Sequence, residues 1–201
     1  MGGMKILQIN TSIFGPGGQS TQLADRFVAG LGGELTMRDL ARDPVPHLDA
    51  GRFGAFVAKP EARTPQQQAA VDYSDRLIAE LREADTIVIA LPMYNFGAPS
   101  TLRAYFDQIG RAGETFRYTD KGPVGLLTGK KAYVFVTRGG VYGEKHAHTD
   151  YVRDFLAFIG ITDATFVYAE GLAMGDASRD AGLAKARSHI QTLHQADAIA
   201  A

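Results

Sequence analysis

The sequence predicts a three-layer α/β fold, with one five-stranded parallel sheet of order 2-1-3-4-5 covered by helices on both faces. Short apolar runs rich in Val and Ile recur along the 201 residues, segments with helical periodicity lie between them, and the two kinds alternate five times. Parallel strands require crossovers, and right-handed crossovers lay their helices against the sheet. Among doubly wound sheets of five strands, 2-1-3-4-5 is a common order.

The elements follow in chain order. Residues 6–10 form a buried strand. Leu23, Phe27 and Leu31 mark a helix that Gly32-Gly33 stops, and residues 34–39, with Leu35 and Met37 between polar neighbours, read as an edge strand. After a long connection over residues 41–63, Thr64 caps a second helix, Pro65 fits its first position and Gln67 completes a capping box. Its stripe is Val71, Ile78 and Leu81, and residues 86–91 supply the next buried strand. Leu102, Phe106 and Ile109 define the third helix. Residues 113–130 are a second long connection, in which residues 115–123 have the aromatic and turn residues of a short hairpin. A strand at 132–137, a helix with Val152, Phe155 and Ile159, a strand at 164–169 and a helix with Leu183, Ile190 and Leu193 complete the pattern.

Composition narrows the function. With 45% hydrophobic and 21% charged residues the chain suits one domain over residues 1–201. Twenty-one Lys and Arg nearly balance 22 Asp and Glu, which argues against a nucleic-acid footprint or a polybasic membrane anchor. The absence of Cys excludes disulfides, iron–sulfur clusters, thiolate zinc sites and a cysteine nucleophile, and suits a cytoplasmic protein. Met1-Gly2-Gly3-Met4-Lys5 has no signal-peptide core, Ile6 stands where a myristoylation motif on Gly2 needs Ser or Thr, and no apolar run reaches the roughly 18 residues of a membrane span.

In such a sheet, ligands bind beyond the carboxyl ends of the strands where the order reverses, so the loops after strands one, three and four should meet there. The first, residues 10–20, has the hydroxyls of Ser12 and Ser20, the Gln19 amide and a glycine-rich stretch before a helix. It matches neither a P-loop nor the dinucleotide fingerprint, and its neutral donors suit a monophosphate at a helix start. A glycine turn with Ser20 as an ordinary N-cap is the competing reading. The second loop places Met93, Tyr94, Asn95 and Phe96 straight after a buried strand, either as a wall for a flat apolar ring or as a satellite of the core. The third, Thr137-Arg138-Gly139-Gly140, offers close backbone amides to a ligand or is a plain turn. Arg138 fits a solvated charge as well as a ligand contact. Tyr118 and Phe158 are candidate walls over a ligand. His146-x-His148 has no partner at metal-ligand spacing and reads as a solvated loop, so no metal is expected. No Ser-His-Asp order with a nucleophile elbow occurs.

Gln19-Ser20, Pro92-Met93-Tyr94-Asn95-Phe96, Ala112-Gly113-x-Thr115-Phe116-Arg117-Tyr118-Thr119, Gly122-Pro123-x-Gly125-Leu126 and Thr137-Arg138-Gly139-Gly140 occur in one order. Together they resemble the FMN-dependent NADH azoreductases of the flavodoxin-like quinone reductases. That resemblance implies a flavodoxin-like fold, non-covalent FMN, NADH or NADPH as donor, and a homodimer with its active sites at the interface. It assigns the phosphate to Ser12, Gly18, Gln19 and Ser20, and the isoalloxazine to Met93, Tyr94, Asn95, Phe96, Thr137, Arg138, Gly139 and Gly140. Phe96, Tyr118 and Phe158 fall to the acceptor, a quinone or azo compound. Gly18 and Thr137 stand where relatives often carry Ser, and Gly15-Pro16-Gly17 lengthens the first loop. The implied chemistry is hydride transfer from NADH to flavin N5 and then to the acceptor, with no catalytic side chain. A flavodoxin-type electron carrier would need an acidic docking face, which a net charge of -1 does not supply. A flavin or quinone sensor could keep the same pocket, and turnover separates it.

Overall fold

The computed structural model describes residues 3–200, so Met1 and Gly2, which carried the question of an N-terminal signal, lie outside the described residues. Five strands, β1 (Lys5–Asn10), β2 (Glu34–Asp39), β3 (Thr86–Pro92), β6 (Lys131–Thr137) and β7 (Asp163–Ala169), form a parallel sheet of order β2-β1-β3-β6-β7. This is the expected 2-1-3-4-5 order with two more strands inserted in the chain. Those two, β4 (Phe116–Thr119) and β5 (Gly122–Gly125), pair antiparallel as the separate hairpin.

Strand periodicity divides the core into two layers, because successive side chains leave opposite faces of the sheet. Leu7, Ile9, Ile87, Ile89, Leu91, Val134 and Val136 face α3 (Pro65–Glu83), α4 (Ser100–Ile109) and α5 (Ala147–Ile159). Ile6, Val88, Ala90, Tyr133, Phe135 and Val167 face α1 (Gln19–Leu31) and α6 (Asp176–Ala200). Every residue of β3 is buried, whereas β2 is exposed along most of its length, as an edge strand should be. Thr64 and Gln67 form the expected capping box on α3, and Gly32 ends α1.

The first long connection contains an unanticipated helix, α2 (Ala50–Val57). Two glycines and a length of eight residues hid its periodicity, although Asp49 caps it by accepting from the Arg52 amide at 2.8 Å. The hairpin is held against α5 by the close approach of two glycines. A Cβ on Gly125 would lie 2.1 Å from the Gly160 nitrogen, and Gly160 itself adopts φ 104° at the end of α5.

Candidate functional site

The carboxyl ends of β1, β3 and β6 open on one groove of about 220 Å³. Ser12, Gly18, Gln19, Ser20, Met93, Tyr94, Thr137, Arg138 and Gly139 line it. Phe14, Pro92 and Leu172 complete the wall. Leu172 follows β7, and no sequence pattern singles it out. The groove is smaller than the ~300–1,000 Å³ that enclose a drug-sized ligand. A larger hollow of about 480 Å³ beside β7 takes only Gly143 and Glu144 from these loops.

The β1 loop approaches α1 through a glycine. Gly18 is the N-cap and makes no side-chain capping bond, so Ser20 lies within the first turn and is not the cap. The first intrahelical bond runs from the Gln22 amide to the Gly18 carbonyl at 3.0 Å, which leaves the amides of Gln19, Ser20 and Thr21 free at the positive end of the helix. No acidic residue occupies that first turn. Among the described residues the buried hydroxyls of Ser20 and Thr21 have no hydrogen-bond partner. An unpaired buried hydroxyl costs free energy, and an anion at the helix start would remove that cost.

The β3 loop is a strained two-residue turn. Asn95 has φ 49° and Phe96 φ 63°, and Tyr94 and Gly97 exchange both backbone bonds at 3.1 and 3.0 Å. Two successive positive φ values define a type I′ turn, which glycine and asparagine enter easily and phenylalanine does not. The geometry leaves the Phe96 ring 68% exposed and edge-on to Tyr142, with ring centroids 6.1 Å apart. Tyr94 turns back to the first loop, where its hydroxyl accepts from the Ile13 amide at 3.1 Å and lies 3.4 Å from Ser12 Oγ.

In the β6 loop the carbonyls of Arg138, Gly139 and Gly140 accept from Leu172, Ala173 and Gly171. Among the described residues the amides of Gly139 and Gly140 make no hydrogen bond, so they are free to donate. The Arg138 side chain is not solvated. It is fully buried, pairs with Glu170 at 3.0 Å, donates to Thr149 Oγ1 at 3.1 Å and reaches the Gly143 carbonyl. Glu170 Oε1 also accepts from the amides of Tyr142 and Gly143 at 2.9 and 3.1 Å. The two histidines are likewise not a solvated loop, since His146 caps α5 and His148 is buried. Burial, reinforced by the Arg138 charge, pushes the His148 pKa down to about 4.

Tyr118 and Phe158 do not line the groove. Tyr118 is 74% exposed on the hairpin, and Phe158 packs on Phe116 with centroids 4.3 Å apart.

A model of the family described as having a flavodoxin-like fold matches residues 4–193. The chain belongs to the flavodoxin-like fold family. Within it, the FMN-dependent NADH:quinone oxidoreductase of Cellvibrio japonicus is 50% identical over 193 residues, covering 92% of this chain and 96% of that relative. The enzyme so named in Burkholderia thailandensis is 52% identical over 192 residues, covering 92% and 97%. Among solved flavodoxin-like structures, an azoreductase from Bacillus anthracis Sterne superposes with a TM-score of 0.87 at 25% identity, covering 95% of this chain and 98% of that one. An FMN-dependent NADH-azoreductase from Bacillus anthracis Ames Ancestor, in complex with FMN, has a TM-score of 0.84 at 28% identity, covering 96% and 98%.

Proposed function

We propose that this chain, as one flavin-binding domain over residues 1–201, is an FMN-dependent oxidoreductase that uses NADH or NADPH to reduce quinones and azo compounds. The observation that carries the reading is the buried, unpartnered Ser20 hydroxyl beside the free amides of α1. Those groups suit a phosphate held by neutral donors. Relatives at 50% identity named as FMN-dependent NADH:quinone oxidoreductases support the same assignment.

Bound FMN would supply the hydride relay between the nicotinamide donor and the acceptor. Ser12, Gln19, Ser20 and the backbone around Gly18 would hold its phosphate. Met93, Tyr94, Asn95 and Phe96 would pack against the ring, while the Gly139 and Gly140 amides would donate to its electron-rich edge, with Thr137 and the Arg138 backbone beneath it. Orientation and backbone dipoles are what the protein provides, and no side chain is assigned as acid or base.

The acceptor slot is completed by a second copy in this reading. Tyr118 is exposed in a monomer and Phe158 lies near it through Phe116, so a homodimer would use that face to roof the partner's groove. A cytoplasmic location would suit this reading, because NADH and NADPH are intracellular donors and no described helix is long and apolar enough to cross a membrane. An electron carrier is disfavoured because a net charge of -1 gives no acidic docking face.

The test begins with the purified protein and free FMN. Ser20→Asp places a negative charge against the phosphate and should abolish FMN binding while the circular dichroism of the fold is kept. Unchanged FMN content would sink the assignment. Steady oxidation of NADH or NADPH with menadione or an azo dye then identifies an enzyme, and its absence in the flavin-loaded protein would favour a sensor.

A further inference from the structure

Behind the groove, one imidazole joins the two loops assigned above to the flavin ring. His148 is 1% exposed and sits in the first turn of α5. Its Nε2 lies 3.2 Å from the carbonyl of Pro92, the last residue of β3 and the one before Met93. Its Nδ1 lies 3.4 Å from Nε of Arg138, the residue before Gly139-Gly140. A carbonyl only accepts and a guanidinium only donates, so a single tautomer satisfies both: Nε2 carries the proton and donates to Pro92, while Nδ1 accepts from Arg138. The ring is therefore neutral, as burial next to a cation requires.

The connection continues beyond Arg138. Its guanidinium pairs with Glu170, which receives the amides of Tyr142 and Gly143. An unbroken polar chain thus runs from Pro92 through His148, Arg138 and Glu170 to Tyr142. At its two ends stand the turn that carries Phe96 and the tyrosine that meets Phe96 edge-on. An apolar residue at 148 would fill the same volume without having to bury a polar ring. What imidazole adds is a fixed separation between a β3 carbonyl and a β6 guanidinium.

We propose that His148 is a positioning residue, which sets the spacing of residues 93–96 and 138–143 so that both loops meet one flavin ring. It acts through Pro92 and Arg138 and touches neither flavin nor acceptor. The proposal rests on the FMN reading of the groove.

Apoprotein carrying His148→Met, which fills the space without hydrogen bonds, is titrated with FMN beside wild type, and amide hydrogen exchange is followed over residues 93–97 and 138–143. The FMN Kd should rise about tenfold or more, the scale of one or two lost hydrogen bonds, and both segments should exchange faster together. His148→Gln keeps a donor for Pro92 and an acceptor for Arg138, and should recover most of the affinity. Unchanged affinity and exchange in His148→Met, or a loss that His148→Gln fails to recover, would overturn the proposal. Should His148→Met not fold, His148→Asn, polar but too short to bridge both partners, takes its place with the same expected and contrary outcomes. Ser20→Asp run in parallel separates the two readings. FMN lost there but bound normally by His148→Met overturns the positioning role alone, and FMN bound normally by both overturns the flavin site with it.

Discussion

Gly18 stands so close to Ser12 that a Cβ built on it would lie 2.1 Å from Ser12 Oγ and 2.5 Å from Ser12 Cβ. The contact couples the cap of α1 to the hydroxyl that faces Tyr94. Gly18→Ala should therefore displace Ser12 and weaken FMN binding about tenfold, as loss of roughly one hydrogen-bonded donor would. Ser12→Gly in the same chain removes both clashing atoms and should restore the backbone cradle, though not the lost hydroxyl. FMN titrations of the single and double variants measure the coupling, and simple additivity would contradict it.

The Phe96 turn should exchange stability for function. Positive φ at a bulky residue costs on the order of 1–3 kcal/mol, and this ring is mostly exposed, so little burial compensates. Phe96→Gly should stabilise the apoprotein by about 0.5–1 kcal/mol after glycine's greater chain entropy is subtracted. The same variant should lose quinone turnover severalfold. Urea unfolding and menadione reduction are the paired measurements, and a destabilised apoprotein would show that the turn is not strained.

Glu170 should matter far more to folding than an exposed acid does. Arg138 has no exposed side-chain surface, and Glu170→Ala leaves its charge buried without a carboxylate, a loss of about 3–5 kcal/mol. Asp150→Ala, which breaks an Arg153 pair with both partners nearly half exposed, should cost under about 1 kcal/mol. Comparable urea midpoints for the two variants would refute the distinction.

His148 gives the fold a pH dependence with a definite sign. Its folded pKa is depressed from 6.5 to about 4, so between those values the unfolded chain binds a proton that the folded chain does not. Its contribution is complete above about pH 6.5 and is lost as pH falls toward about 4. The groups bearing on it are Arg138 and His146, with the Pro92 carbonyl opposing the shift. Thermal melts of wild type and His148→Gln over that range should converge or cross as acid is added, and parallel curves would contradict the assignment.

Assembly should govern acceptor reduction more than flavin content. Tyr118 and Phe158 lie off the groove of their own chain, so in the proposed homodimer their variants should alter turnover through the partner's groove. Sedimentation and quinone turnover measured over one dilution series should fall together, and a fully active monomer would count against the shared slot.

The sheet order, the capping box at Thr64 and the meeting of three loops were all legible in the sequence. Each depends on local period, turn chemistry or the handedness of crossovers, which short segments carry by themselves. Helix α2 was not, because glycines at 51 and 54 mask an eight-residue stripe. The fate of Arg138 was open from sequence, since a basic residue beside two glycines looks alike whether solvated, bound to a ligand or buried. Only the fold brings Glu170, 32 positions away, and Thr149 to its guanidinium. Leu172 enters the groove for the same reason, and His148 reaches Pro92 across 56 positions. Sequence determined which segments could meet at one groove, because periodicity and turn residues act over a few positions. Tertiary structure decided which polar side chains line the groove and which lie buried behind it, because a buried charge or imidazole takes whatever partners packing places within hydrogen-bond reach.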